Sequence, residues 1–244
     1  MLGFKRIKTA CSIILNRSIN KFFGVYLTRQ SPSLINEFKK EIEINLLKHS
    51  QGIFHAGANR GQEADLYNKL GKKVIWVEAD PDTAKSLQNR VSLFNNQISY
   101  NALLADVPGV VFNFNQTNND GLSSSIFSLS KNHGYEKIGL QTLKSIKITS
   151  TTIDELFMEL ELRNYDHWIL DLQGAELVSL QGGINNLKYC HSLTVEVSTR
   201  EVYENAPKWP EIRDWLLSRG FIPLWQPDEN SHGDIVFVRI RGAT

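Results

Sequence analysis

Three groups of residues in this sequence could do chemistry at one place. The first is Gly52-Ile-Phe-His55-Ala-Gly57-Ala-Asn59-Arg-Gly61-Gln-Glu63, an apolar run that ends in a loop with two glycines and passes into a helix-like segment. A glycine turn between strand and helix lets backbone and ligand approach closely, and the helix start offers unpaired N–H groups. The second is Val74-Ile-Trp-Val-Glu78, an apolar run ending in a carboxylate that can accept from two vicinal ribose hydroxyls. The third is a set of later acids, Asp106, Asp171 and Glu196, with Gln173 beside the second. A carboxylate within hydrogen-bond reach of a hydroxyl can take its proton. Asp171 ends a strand of large apolar residues and is the first candidate for such a base, with Glu196 near the acceptor or paired with an arginine. His133, in a polar loop, is a second base that a lid could supply. These acids could also hold a divalent cation through oxygen ligands, but their spacing is not diagnostic and no metal is expected.

Such residues need a scaffold that gathers strand ends, and the hydrophobic pattern supplies one. Apolar runs over 52–56, 73–78, 98–104, 168–172 and 192–198 read as strands. Helical spacing follows most of them: 63–70, then Asp80-Pro81 leading into Ala84, Leu87, Val91 and Phe94. Thr152-Ile-Asp-Glu155 has capping-box spacing, and Leu177, Leu180, Ile184 and Leu187 follow Gly174. Ile35, Phe38, Ile42 and Leu46 predict a covering helix ahead of the first strand. Residues 110–114 are expected to pair as a hairpin with the strand before them, across Asp106-Val-Pro-Gly109, and 144–149 form a short strand. The last two strands, 221–225 and 234–240, have no helix between them. Alternation of strand and helix implies an α/β fold, a doubly wound, Rossmann-like, mostly parallel sheet with an antiparallel strand at its end. Ligands in such sheets bind at the carboxyl ends of the strands, where His55, Glu78, Asp106, Asp171 and Glu196 fall. Residues 115–134 are polar and hydroxyl-rich yet carry Leu122, Ile126, Phe127 and Leu129, so this segment is expected to lie over the site.

The chain of 244 residues is long enough for one domain, expected over 34–244, with an appendage over 1–33. Its net charge of +1 argues against a nucleic-acid partner. Cys11 and Cys190 are isolated and suit a reducing cytoplasm. No acid precedes Glu37, whereas Lys5, Arg6, Lys8, Arg17, Lys21 and Arg29 do. That arm reads either as a solvated extension or as a segment making weak contact with an anionic membrane surface. Oligomeric state is not legible.

Two cofactor classes use this architecture. A dinucleotide needs a glycine where its pyrophosphate meets the helix start, but here Ala58 and Asn59 carry side chains. S-adenosylmethionine has no phosphate and needs only close backbone approach with polar groups such as Asn59, Arg60 and Gln62. Over roughly 50–240 the chain resembles FkbM-type S-adenosylmethionine-dependent methyltransferases. The resemblance is carried, in order, by His55-x-Gly57-Ala-Asn59-x-Gly61-Gln-Glu63, Val77-Glu78-Ala79-x-Pro81, Gly121-Leu-Ser-Ser-Ser-Ile126 and Thr152-Ile-Asp-Glu-Leu156. Leu170-Asp171-Leu-Gln173-Gly174-Ala-Glu176, Thr194-Val-Glu196-Val and Gly233-Asp234 complete it. His55 stands where family members usually carry an acid, and Ile169 where many have Lys or Asn.

The resemblance implies a seven-stranded sheet with its last strand antiparallel and methyl transfer to a hydroxyl oxygen, often of a sugar or other hydroxylated metabolite. The loop and strand-end positions predict cofactor contacts from His55, Gly57, Asn59, Gly61, Glu78, Ala79, Asp106 and Gln173, and a catalytic group among Asp171, His133 and Glu196. His55 is expected to face the methionine end of the cofactor. A nicotinamide-dependent oxidoreductase and a non-catalytic cofactor-binding interaction module are the alternatives.

Overall fold

A computed structural model describes residues 32–131 and 135–240. The chain separates into two compact units, Met1–Asn45 and Leu46–Thr244. The described part of the first belongs to helix α1 (Pro32–His49), which covers the helix expected there. The rest of the basic arm, and His133, lie outside the described residues.

The second unit is built on a sheet of seven strands. They are β1 (Gly52–Ala56), β2 (Lys73–Glu78), β3 (Gln97–Asn101), β7 (His167–Leu170), β8 (Ser192–Ser198), β9 (Phe221–Pro223) and β10 (His232–Arg239), in the order β3-β2-β1-β7-β8-β10-β9. The first five in that order are parallel, and β10 runs antiparallel to both its neighbours. This is the doubly wound sheet with an antiparallel final strand that the sequence predicts. Strands β1, β2 and β7 are covered on both faces, which is why they read as unbroken apolar runs. Phe54, Phe157 and Trp168 interlock at the centre with ring centroids 5.1–5.5 Å apart. Among the described residues no helix is long and apolar enough to cross a membrane.

Helix α2 (Ala64–Lys69) follows β1, and α3 (Pro81–Val91) follows β2. Asp80 caps α3 as expected, its Oδ1 accepting from the N–H groups of Asp82 and Thr83 at 3.0 and 2.9 Å. Thr152 caps α4 (Ile153–Glu159) by accepting from Glu155 N–H at 3.0 Å. Glu155 in turn accepts from the Thr151 hydroxyl, also at 3.0 Å. The single helix expected after Gly174 is two short ones, α5 (Glu176–Gln181) and α6 (Ile184–Leu187). They break at Gly182, where a Cβ would overlap the carbonyl oxygen of Ala105. Helix α7 (Trp209–Leu217) precedes β9.

The region after β3 departs from expectation. The predicted strand over 98–104 is two pieces, because the chain changes sheets at Ala102. Ala102 N–H donates to Glu78 in the main sheet, whereas Ala105 N–H donates to Thr151 in another. That second sheet holds β4 (Leu103–Leu104), β5 (Val111–Thr117) and β6 (Thr142–Thr151), in the order β4-β6-β5. Strand β5 therefore pairs with the later β6 and not, as a hairpin, with the strand before it. An exposed Asp106 consequently follows β4, a strand of the second sheet.

Candidate active site

The chain turns outward from β1 to β2 and β3, then crosses back to β7, so the sheet order reverses between β1 and β7. A cleft of about 460 Å3, open to solvent, lies there. Its polar lining is Asn59, Glu78, Asp171, Gln173 and Ser124, and its apolar lining is Ala79, Phe114, Leu122 and Leu172. Gly57 and Gly121 complete it. The hydroxyl-rich segment thus forms one wall, as expected.

Two glycines in the β1–α2 loop are required by geometry. Gly57 has φ +77°, and a Cβ there would overlap the carbonyl oxygen of Asp171. Asp171 N–H donates to Ala56 at 3.0 Å, so this glycine lets the β1 and β7 exits run side by side. Gly61 has φ +69°, and a Cβ there would lie 2.8 Å from Leu87 on α3. Between them Asn59 takes φ 45°, a conformation that Asn adopts more readily than most residues.

Glu78 is held by one backbone N–H on each oxygen, Asn59 to Oε2 and Asp80 to Oε1, both at 2.8 Å. Each oxygen keeps acceptor capacity toward the cleft. Burial pushes its carboxyl up to about 7, partly offset by those bonds. Asp80 also accepts from the amide of Gln116, tying β5 to this corner.

Asp171 and Glu196 are brought together by Gln173. Its Nε2 donates to Asp171 Oδ1 at 2.5 Å and to Glu196 Oε2 at 2.7 Å, and its Oε1 accepts from the Tyr203 hydroxyl at 2.5 Å. His232 Nε2 lies 3.0 Å from Glu196 Oε1. Burial, and then the neighbouring Glu196, hold the Asp171 carboxyl well above the usual carboxylate range. Glu176 opens α5 and does more than that. It is buried and accepts from Leu172 and Gly174 N–H at 2.8–3.2 Å, closing the turn that carries Gln173. Burial raises it to about 8. An adjoining hollow of about 300 Å3 is lined by Glu176, Glu196, Arg200, Tyr203 and His232. Asp171 lines the first space, and Glu196 lines the second.

Two sequence-based placements need correction. His55 does not line the cleft. Its ring stacks on Trp76 at 4.8 Å, its Nδ1 is 3.2 Å from the Tyr67 hydroxyl, and burial lowers it to about 3. A neutral imidazole fits that aromatic pocket better than a carboxylate, which would lose its hydration without gaining a cation. Asp106 is also absent from the lining, because the chain has already left the main sheet. Asp171 and Glu196 are brought to one place, and Gly57, Asn59, Glu78, Ala79 and Gln173 line the cleft. Tyr203 and His232 were not singled out in the sequence. Gly233-Asp234 pointed near His232, but Tyr203 lies in an aperiodic stretch with no signal of its own. Among the described residues no cluster of His, Cys, Asp and Glu suits a metal ion.

These shifts make stability pH-dependent in a defined way. Glu78 and Glu176, raised by burial from 4.5 to about 7 and about 8, contribute stability fully present below 4.5 and lost as pH rises through those values. His55 and His167, lowered by burial from 6.5 to about 3 and about 4, contribute stability present above 6.5 and lost as pH falls through those values. Denaturant midpoints should therefore peak between pH 4.5 and 6.5 and fall from 6.5 to 8. A midpoint that climbs over that upper interval would contradict the assignment.

The chain matches the family described as "Methyltransferase FkbM domain" over residues 55–223. It is 26% identical over 197 residues to the 2-O-methyltransferase NoeI of Sinorhizobium fredii, covering 78% of this chain and 80% of that protein. Among solved structures it is similar to Aeropyrum pernix fibrillarin with natively bound S-adenosyl-L-methionine. That likeness has a TM-score of 0.46 at 14% identity, covering 79% of this chain and 68% of that one. It is also similar to the Synechocystis magnesium protoporphyrin IX methyltransferase with bound SAH. There the TM-score is 0.45 at 12% identity, covering 96% of this chain and 99% of that one.

Proposed function

The chain belongs to the FkbM methyltransferase domain family, and from that premise we propose that this S-adenosylmethionine-dependent methyltransferase methylates a hydroxyl oxygen on a sugar or other small hydroxylated molecule. The observation that carries the proposal is the position of Asp171. It faces the cleft directly and is linked through Gln173 to Glu196 in the adjoining hollow, so a base stands where donor and acceptor spaces meet. The 2-O-methyltransferase relative supports oxygen as the acceptor atom.

The lining fits the donor. Glu78 offers acceptor capacity for paired hydroxyls, and Ala79, Phe114, Leu122 and Leu172 offer apolar surface for a ring. Among the described residues the cleft lining contains three carboxamide or hydroxyl side chains, two carboxylates and no Lys or Arg, which suits a cation and opposes a pyrophosphate. When bound, S-adenosylmethionine supplies an electrophilic methyl group on a positively charged sulfur. With the donor bound, Asp171 would take the proton of the acceptor hydroxyl as that oxygen is methylated, the sulfonium supplying the methyl group and retaining the electron pair. A positive charge in the cleft favours ionised Asp171, so donor binding and readiness of the base are linked.

Calorimetry in buffers of different ionisation heat tests this. S-adenosylmethionine should bind and release more protons than S-adenosylhomocysteine, which lacks the sulfonium charge. Folded protein that binds neither, or binds a nicotinamide dinucleotide instead, would overturn the assignment. Mass analysis of candidate sugars incubated with labelled donor then identifies the acceptor.

A further inference from the structure

We propose that Tyr203 is a positioning residue for the transfer step, acting through Gln173 to hold the Asp171 and Glu196 carboxyls in one arrangement. The proposal rests on the role given to Asp171 above. Its basis is the asymmetry of a primary amide, which has two donors at one atom and an acceptor at the other. Gln173 presents its donor end to both carboxyls and its acceptor end to Tyr203, with every contact at 2.5–2.7 Å.

The backbone beneath that side chain is fixed independently. Gln173 takes φ 54°, and its carbonyl accepts from the Ser125 hydroxyl at 2.7 Å. Gly174 beside it has φ +99°, and a Cβ there would lie 3.0 Å from Ala206 and 3.3 Å from Tyr203. Only the side-chain torsions of Gln173 remain to be set, and the Tyr203 hydroxyl is the donor at their far end. Tyr203 is itself buried, and its hydroxyl has a second acceptor in Ser123 C=O at 3.2 Å.

Removing that hydroxyl leaves the Gln173 oxygen without its donor and lets the amide swing. Donation to an ionised carboxylate stabilises its charge, and weaker donation to Asp171 raises its proton affinity. The other groups facing the pair are Glu176 at the start of α5, His232 and Asp234 on β10, Tyr135 on a 3-10 turn over Tyr135–Ile138, and Arg200, which lines the hollow beside Glu196. Tyr203→Phe changes none of these charges, so a shift in Asp171 is attributable to the amide.

The test is the pH titration of the Asp171 carboxyl by carbon NMR in folded, ligand-free protein labelled at aspartate. Tyr203→Phe should move its midpoint upward by about one pH unit, which is about tenfold less ionised base at a given pH below the midpoint. In a Gln173→Met background the same substitution should add less than about 0.3 unit, because the link is already broken. Gln173→Met alone should raise the midpoint at least as far, which keeps the test open if Tyr203→Phe fails to fold. An unmoved midpoint in the folded single variants, or an equal shift from Tyr203→Phe in both backgrounds, would overturn the proposal. Parallel calorimetry with S-adenosylmethionine separates the two claims. A wild type that shows the titration pattern but binds no donor sinks the function and leaves the linkage standing.

Discussion

Asp171→Asn is expected to lower methyl transfer by about 10²–10⁴-fold, the range for loss of a positioned acid or base. Affinity for S-adenosylmethionine should fall much less. Asn keeps the size of the side chain and an oxygen that can accept from Gln173 Nε2, so the turn from Asp171 to Glu176 should persist. What it loses is the ability to take a proton. Single-turnover rates with a confirmed acceptor measure the effect, and calorimetry on the same variant checks donor binding. A variant within about fivefold of the wild-type rate would remove Asp171 from the base role and favour a purely orienting site. An interaction module predicts something different again: biological activity of the Asn variant indistinguishable from wild type.

Gly57→Ala is expected to be the most damaging single substitution in the loop. The new methyl group would meet the Asp171 carbonyl oxygen, which is backbone and cannot rotate aside. The left-handed φ adds about 1–2 kcal/mol, and forcing the strand exits apart adds about 1–3 kcal/mol. A total of roughly 2–5 kcal/mol is a large share of the stability of an ordinary domain. Denaturant unfolding should show that loss, with donor binding weakened alongside because the displaced strand end carries Asp171. An Ala variant with wild-type stability would mean that the β1 and β7 exits are less closely seated than they stand here.

Much of this was legible in the chain because the relevant signals are local. Asp80-Pro81 and Thr152-x-x-Glu155 specify helix starts within four residues, and both caps form. The apolar runs at 52–56, 73–78 and 168–172 are strong because those strands are buried on both faces. The transfer of the chain to a second sheet at Ala102 was not legible. Residues 98–104 carry no break signal between their halves, and the second half is drawn to another ladder by partners about 50 residues away. The same long-range choice withdrew Asp106 from the site. His55 misled for another reason: its position in the loop motif suggested a ligand contact, while its surroundings, Tyr67 and Trp76, come from later elements. Tyr203 carried no pattern at all, since a single side chain reaching over a distance of 30 residues to Gln173 leaves no periodicity.

The second sheet has a consequence for how such a protein can diversify. Strand β6 pairs with β5 on one side and β4 on the other, and among the described residues these three share no ladder with the seven strands of the main sheet. The segment joining them supplies Gly121, Leu122 and Ser124 to one side of the cleft. Insertions or exchanges in that segment leave every pairing of the main sheet in register. That wall can therefore change at positions other than Leu122, Ser123 and Ser125, which border the donor space or hold Tyr203 and Gln173, while the strands beneath it keep their pairing.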